Sequence, residues 1–339
     1  MQQQGRLVHK MHILNPVTDE FWWDVARNCS YATFYHTPLW REIAMRTFPE
    51  RYTDATIGAI LPNGVRAVLP MLSKRRIGPF RWLHSTFENC YGGLIADGPV
   101  TESEALAIYA QACDWSTYTF YLIDHPIGPP LHAQLRGRLT HVYSEPTYLV
   151  HLDADFETIL GRFSRSRRTA YRSGLRKGVQ TRVATSLDEV RAYYASYRDA
   201  VERWGEDDGY GYAWELFEQI YYLSQEYPEQ IKIWLMIVND QIAGGRLILY
   251  WNDHASLWHG SAHRDFLEYD VMPVGDTEII RDALERGYRY FDFNTSGQKE
   301  GVMTYKQRFG SEKKSVTMWR YENPILKPIQ QWYWMATGK

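Results

Sequence analysis

The sequence predicts an α/β protein built from two similar domains. Its 339 residues make about two domains at ~100–200 residues each. Strand-type alternation is interleaved with helical periodicity throughout, and the order helices, hairpin, strand, helix, strand occurs twice. That repeated order, rather than identity between the halves, carries the duplication. No Ser/Gly or Pro-rich stretch is long enough to be a tether, so the expected boundaries are 1–150 and 151–325, with a tail over 326–339 packing back on the body.

In the first half, Thr37-Pro38 places a cap and a first-turn proline before a short helix through Met45. Ala55–Leu61 and Val65–Leu72 flank Pro62-Asn63-Gly64 and form a hairpin, the Asn-Gly pair supplying positive φ. Thr101-Glu102-Ser103-Glu104 is a capping box that opens a helix to about Trp115. Thr117–Ile123 is a buried strand.

The second half starts with Phe156, Leu160, Phe163, Arg167, Ala170 and Gly174 at helical spacing. Ser186-Leu187-Asp188-Glu189 is a second capping box, opening a helix through about Arg203, and a further helix covers Ala213–Gln225. Ile231–Val238 and Gln241–Tyr250 then form a hairpin about Asn239-Asp240. Strand His254–Ser261, a loop, a helix from Pro273 to about Arg286 and strand Tyr288–Phe293 complete the order.

Composition removes several classes of function. The chain is 45 % hydrophobic and 23 % charged, which fits a folded globular protein and not a disordered one. With 38 Lys and Arg against 40 Asp and Glu, its net charge of -2 disfavours a surface that coats a polyanion, while leaving room for a local basic patch. The 25 Tyr, 13 Trp and 13 Phe suit half-buried grooves or a Tyr-rich core. Cys29, Cys90 and Cys113 match neither a disulfide framework nor a metal pattern, so a reducing compartment is expected. With no apolar leader and no run of ~20 apolar residues in the sequence, a soluble cytoplasmic protein is expected.

No dinucleotide, P-loop, zincin or nucleophile-elbow motif occurs. His254, His259 and His263 are the one histidine cluster, but 254 and 259 differ in strand parity, which argues against a metal site. Cys90 has no basic neighbour in sequence to lower its pKa.

Two consecutive segments carry a family likeness. Tyr290-Phe291-Asp292-Phe293-Asn294-Thr295-Ser296-Gly297, then Gly301-Val302-Met303-Thr304-Tyr305-Lys306-Gln307-Arg308-Phe309-Gly310, resemble the C-terminal signature of the FemABX family. The basic helix ending at Arg168–Gly178, the stretch from Phe34 to Trp40, the Tyr91-Gly92-Gly93 turn and Asn323-Pro324 through Trp332 are similar to other landmarks of that family. The resemblance covers nearly the whole chain. It implies two tandem GNAT-like domains, and transfer of an aminoacyl group from aminoacyl-tRNA to an amine of a peptidoglycan precursor, with the ligand groove between the domains.

Several positions depart from the family. Ala44, flanked by Arg41 and Arg46, stands where members commonly have Lys; Tyr305 replaces Phe, Asn294 replaces Gly, and no helical arm interrupts the second domain. The loop Ala262–Met272 has no glycine and carries Asp265, Glu268 and Asp270 beside Arg264. Coenzyme A in the mode usual for acetyltransferases is therefore disfavoured, and neither a cofactor nor a metal is expected.

Acyl transfer from an ester to an amine needs a positioned neutral amine, charge for the oxyanion and a proton for the leaving group. Lys306 is the candidate for the charge, its alternative being a solvated helix lysine. Asp292 either orients the amine or bonds to the turn after it, and Asn294 and Ser296 are turn formers and substrate contacts. Arg168 matches the family's basic position, and Trp40, Glu88, Tyr91 and Tyr305 are expected to border the groove. Arg162, Arg165, Arg167, Arg168, Arg172, Arg176 and Lys177 make one helix strongly basic, either as a solvated face or as a seat for an RNA backbone, with Arg167 on its apolar stripe as a buried ion partner. The acidic segment Trp204–Tyr212 is a plain loop or a lid. Two other readings stand beside aminoacyl transfer: an N-acyltransferase fed by acyl carrier protein or another donor, and a non-catalytic glycopeptide- or RNA-binding module.

Overall fold

The computed structural model describes residues 10–77, 80–88, 90–129, 139–205, 211–295, 297 and 299–327, with the backbone alone for 75–77. Most of the expected tail, the centre of the Trp204–Tyr212 segment and Ser296 lie outside the described residues. In chain order the first elements are β1 (His12–Leu14), α1 (Asp19–Asn28), α2 (Pro38–Thr47), β2 (Thr53–Asp54), β3 (Ile57–Ile60), β4 (Arg66–Leu69), β5 (Leu72–Ile77), β6 (Phe80–His84), β7 (Ile95–Ala96), α3 (Glu102–Ala112), β8 (Thr117–Ile123) and β9 (Leu139–His151). There follow α4 (Phe156–Arg162), α5 (Arg165–Arg176), β10 (Gln180–Val183), α6 (Leu187–Trp204), α7 (Trp214–Glu226), β11 (Ile231–Val238), β12 (Gln241–Trp251), β13 (His254–Ala262), α8 (Val271–Glu285), β14 (Tyr290–Asp292), α9 (Glu300–Gln307) and β15 (Glu312–Glu322).

The chain divides into two compact units: Met1–Ser144 with Val316–Lys339, and Glu145–Ser315. Unit 1 contains a small sheet in the order β1-β3-β4-β7 and a run β15-β8-β6-β5-β2. Its core gathers Leu83, Phe120 and Leu122 with Ala105, Ile108 and Tyr109 of α3. The capping box that opens α3 is reciprocal: Glu104 N donates to Thr101 Oγ1 at 3.3 Å, and Thr101 N to Glu104 Oε2 at 2.8 Å. Gly64, at φ +86°, turns the β3–β4 hairpin.

Unit 2 is built on a sheet in the order β10-β11-β12-β13-β14-β9. Asn239 and Asp240, at φ +49° and +61°, supply the two left-handed positions of the β11–β12 turn. Helices α6 and α7 pack on one face of the sheet and α8 on the other, with α5 lying on α8. The expected continuous helix from Phe156 breaks at Phe163: that ring turns inward onto Phe309, 5.1 Å between centroids, and Ser164 Oγ caps α5 by accepting from Arg167 N. At Gly174 an added Cβ would lie 2.9 Å from Tyr269 O and 3.2 Å from Asp270 O, so glycine there lets α5 seat directly on the start of α8.

The parity argument for the histidines does not hold. Leu247 pairs with His259 but Ile248 pairs with Leu257, so Trp258 is an extra residue bulged out of β13. The bulge returns His254, Ser256, His259 and Ser261 to a single face, the one under α6 and α7. Among the described residues no His, Cys, Asp and Glu cluster forms a metal site. All three cysteines are free and buried, and among the described residues no helix is long and apolar enough to cross a membrane.

His259 lies 2.5 Å from the Tyr193 hydroxyl through Nδ1 and meets Tyr197 and Phe217 edge-on. Burial, reinforced by the Arg246 charge, pushes its pKa down from 6.5 to about 3. Because the unfolded chain binds the proton more tightly, this group's contribution is fully present above pH about 6.5 and is lost as pH falls towards about 3. His259→Gln should flatten part of the acid loss of stability in urea titrations between pH about 7 and about 4. An unchanged slope would exclude His259 as a contributor.

Candidate active site at the parting of two strands

β13 and β14 run parallel but pair only from His254–Ser256 to Tyr290–Asp292, and β13 continues to Ala262 alone on that side of the ladder. The strands therefore part at the carboxyl end of β14, the edge at which α/β sheets present ligand sites. Asn294 sits in the gap at φ +55°, and its Nδ2 donates to Leu257 O at 2.7 Å. Asp292 is fully buried. Its Oδ1 accepts from the Thr147 hydroxyl at 2.8 Å and from Asn294 N at 2.7 Å, and its Oδ2 stands 3.7 Å from His254 Nε2. The Asp292 carboxylate thus fixes the turn that follows it.

Lys306 is the buried residue of α9, 7 % exposed. Its Nζ donates to Asn294 O and Thr295 O, each at 2.7 Å. An ammonium has three donors, so one remains beyond these two contacts among the described residues. Burial lowers its pKa from 10.5 to about 7; the Asp292 charge opposes that shift and the Arg246 charge adds to it. A primary amine that changes charge near neutrality is thereby held against the parting strands.

Beside it lies a buried ionic network. Arg246 Nε and a terminal nitrogen donate to the two carboxylate oxygens of Asp276, at 2.5 and 2.8 Å, and the Tyr305 hydroxyl donates to the same carboxylate at 2.6 Å. Gly260 is opposite Arg246 on β13, and a Cβ there would strike the guanidinium. Arg167 stacks over Tyr305 and Phe309, 4.0 and 4.6 Å from the ring centroids. It is buried as expected, but against aromatic faces and not a carboxylate.

Residues 161–307 match the family described as the acetyltransferase (GNAT) domain. Among solved structures the chain is similar to FemX, at 13 % identity and TM-score 0.72, over 94 % of this chain and 99 % of that one. It also resembles the C-terminal domain of a putative lysylphosphatidylglycerol synthetase from Agrobacterium fabrum, at 12 % identity and TM-score 0.59, over 89 % and 90 % of the two chains. A tandem GNAT protein from the clavulanic acid biosynthesis pathway aligns over 93 % of this chain and 99 % of its own, at 10 % identity and TM-score 0.55. The chain shares its fold with FemX and with a tandem GNAT protein. No curated protein matches the chain.

In this fold the residues singled out from sequence fall into two groups. Lys306, Asp292, Asn294 and Tyr305 converge at the parting strands of unit 2, whereas Trp40, Glu88 and Tyr91 belong to unit 1. Trp40 and Tyr91 are each 1 % exposed. Trp40 packs on Tyr35 and Phe87 and donates its indole N–H to Phe87 O, and Tyr91 packs on Tyr35 and His125. Both are core residues of that unit. Glu88 is half-buried at φ +51°; burial raises its carboxyl pKa against the opposing charges of Arg51 and Lys74.

The Arg168 guanidinium donates to Gly161 O and Phe163 O and so caps the end of α4. The exposed arginines of α5 are Arg165, Arg172 and Arg176, spaced seven and four residues apart on one stripe, and among the described residues none is paired with a carboxylate. Sequence reasoning missed Arg246, Asp276 and Thr147. A signal for Arg246 was present, since it is the one charge in the run Ile242–Trp251, whereas Asp276 is followed by Thr277 and Glu278 and reads as an ordinary helix acid.

Proposed function

We propose that the protein transfers an acyl or aminoacyl group to a primary amine, with Lys306 stabilising the oxyanion. The observation that carries this reading is the buried Lys306 ammonium, fixed by two loop carbonyls with one donor left over among the described residues. The amine attacks the ester carbonyl, a C–N bond forms, and the oxygen of the tetrahedral intermediate takes up charge beside Nζ. Collapse expels the alcohol, which receives the proton released by the attacking amine. No protein base is required in this scheme.

The donor proposed is aminoacyl-tRNA, and the acceptor an amine such as that of a peptidoglycan precursor. The Arg165, Arg172 and Arg176 stripe supports a polyanionic donor. Coenzyme A is a poor fit at the start of α8, where Lys177 is bonded to Glu268 O and Asp270, and where α5 packs against the carbonyls of Tyr269 and Asp270. Mass spectrometry of products from pools of charged tRNA, acyl carrier protein, acyl-CoA and candidate amines tests the assignment directly. A product from acyl carrier protein alone would replace the tRNA, and no product from any donor would overturn transfer.

If tRNA is the donor, its affinity should fall steeply with salt, and changing Arg165, Arg172 and Arg176 together to Ala should reduce the slope of log K against log salt by ~2. Equal slopes for parent and variant would remove α5 from the donor site.

A further inference from the structure

Unit 1 contains an open cleft of about 820 Å³ that the transfer scheme does not use. It lies on the sheet face opposite α3. Leu83 and Phe120 point to the α3 core, so their neighbours Trp82, His84 and Tyr121 point the other way, into the cleft, joined by Met318 from the paired strand β15. The His84 and Tyr121 rings stack on one another, centroids 5.0 Å apart and planes at 25°, and form an aromatic pair on the wall of the cleft.

Two cations line the cleft beside that pair. The ladder between β5 and β6 shifts register between Ser73 and Arg75, so Lys74 is the extra residue of a bulge, which re-aims its side chain at the cleft. Arg51 is held over the rings of Phe48 and Tyr52, 5.8 and 5.4 Å from their centroids. Among the described residues neither cation makes an ion pair with a carboxylate. Their charges add to burial in lowering the His84 pKa to about 4, and Lys74 is pushed down by burial and by Arg51. An anion between the two cations would relieve that repulsion.

We propose that this cleft binds a small molecule that carries a carboxylate or phosphate on an unsaturated ring, the anion between Arg51 and Lys74 and the ring against the His84–Tyr121 pair. The volume suits such a ligand. Two carboxylates are already near: Glu50 lines the cleft, and Glu88 is felt electrostatically by Lys74, so the ligand's anion competes with them. The inference rests on unit 1 alone and stands or falls separately from transfer at Lys306.

The test is calorimetric titration of the full-length protein with phenyl phosphate and, separately, with phenylacetate. At least one should bind with a stoichiometry of one, the preferred probe assigning the anion as phosphate or carboxylate. Lys74→Met and Arg51→Met should each weaken binding by about 10-fold or more, as expected for a lost charged hydrogen bond. Glu88→Gln should tighten it. Circular dichroism of each variant establishes that the fold is retained, and the Glu88→Gln gain cannot arise from misfolding. Absence of binding by both probes, or affinities unchanged in the two Met variants, overturns the proposal.

Discussion

Lys306→Met is expected to lower the rate of transfer by ~10²–10³-fold, the usual cost of removing one preorganised oxyanion donor. Methionine keeps the length and apolar stem of the side chain, so α9 retains its packing while the ammonium is lost. The substitution also releases Asn294 O and Thr295 O, and a purely structural role predicts a different pattern of change. Loss of anchoring alone would raise KM and lower the melting temperature with kcat little altered, whereas loss of oxyanion stabilisation falls on kcat. The pH profile separates the two further. With a pKa of about 7 the charged, stabilising form is depleted as pH rises through that value, so the parent's kcat should fall on the alkaline side and that limb should be missing in Lys306→Met. A folded Lys306→Met protein with the parent's kcat would end the proposal.

Asp276→Ala should be the most damaging single change to stability, costing about 3–5 kcal/mol, because it leaves a buried guanidinium without its counter-charge. Asp276 is fully buried and Arg246 is 7 % exposed. The Asp276 carboxylate receives two hydrogen bonds from Arg246 and a third from the Tyr305 hydroxyl. Tyr305 precedes Lys306 on α9, so the damage should extend to the site that Lys306 serves. The double variant Arg246→Met, Asp276→Leu removes both charges and should recover much of the loss, since an apolar pair of similar volume often replaces a buried ion pair at little cost. Urea unfolding of the two single variants and the double variant gives the coupling. A loss below about 1 kcal/mol in Asp276→Ala would show that Arg246 does not depend on this partner.

The elements that sequence reasoning located are those specified locally. The Asn239-Asp240 turn, the capping residues Thr101 and Ser186 and the apolar run Thr117–Ile123 mark their elements within a few residues. Ser186 does accept from Glu189 N, but Glu189 bonds to Thr185 N and Arg182, so the reciprocal half of that capping box is absent. The hairpin β5–β6 escaped because Ser73-Lys74-Arg75-Arg76 has the composition of a solvated segment. β9 escaped because its first half is largely exposed and it contains Pro146, so no alternation runs its full length. At the site, Lys306 was legible through the family signature, since its burial depends on carbonyls of a loop that periodicity does not describe. Arg246 was visible as a charge in apolar surroundings, but its pairing with Asp276 spans 30 residues and emerges only when α8 crosses β12.

The bulge at Trp258 gives β13 something like a reading frame in space. The residues before it and after it face α6 and α7 in step because one residue has been counted out of the alternation. An added residue in that strand changes more than its length: with the bulge kept, it exchanges the two faces downstream. Insertion of one residue before the bulge would carry His259 and Ser261 to the α8 side and set a side chain other than hydrogen opposite Arg246, where Gly260 now gives the guanidinium its passage to Asp276, whereas loss of Trp258 itself would only restore a regular ladder. The strand can therefore vary in composition far more freely than in length, and the charge network beside Lys306 inherits that constraint from a residue that takes no part in it.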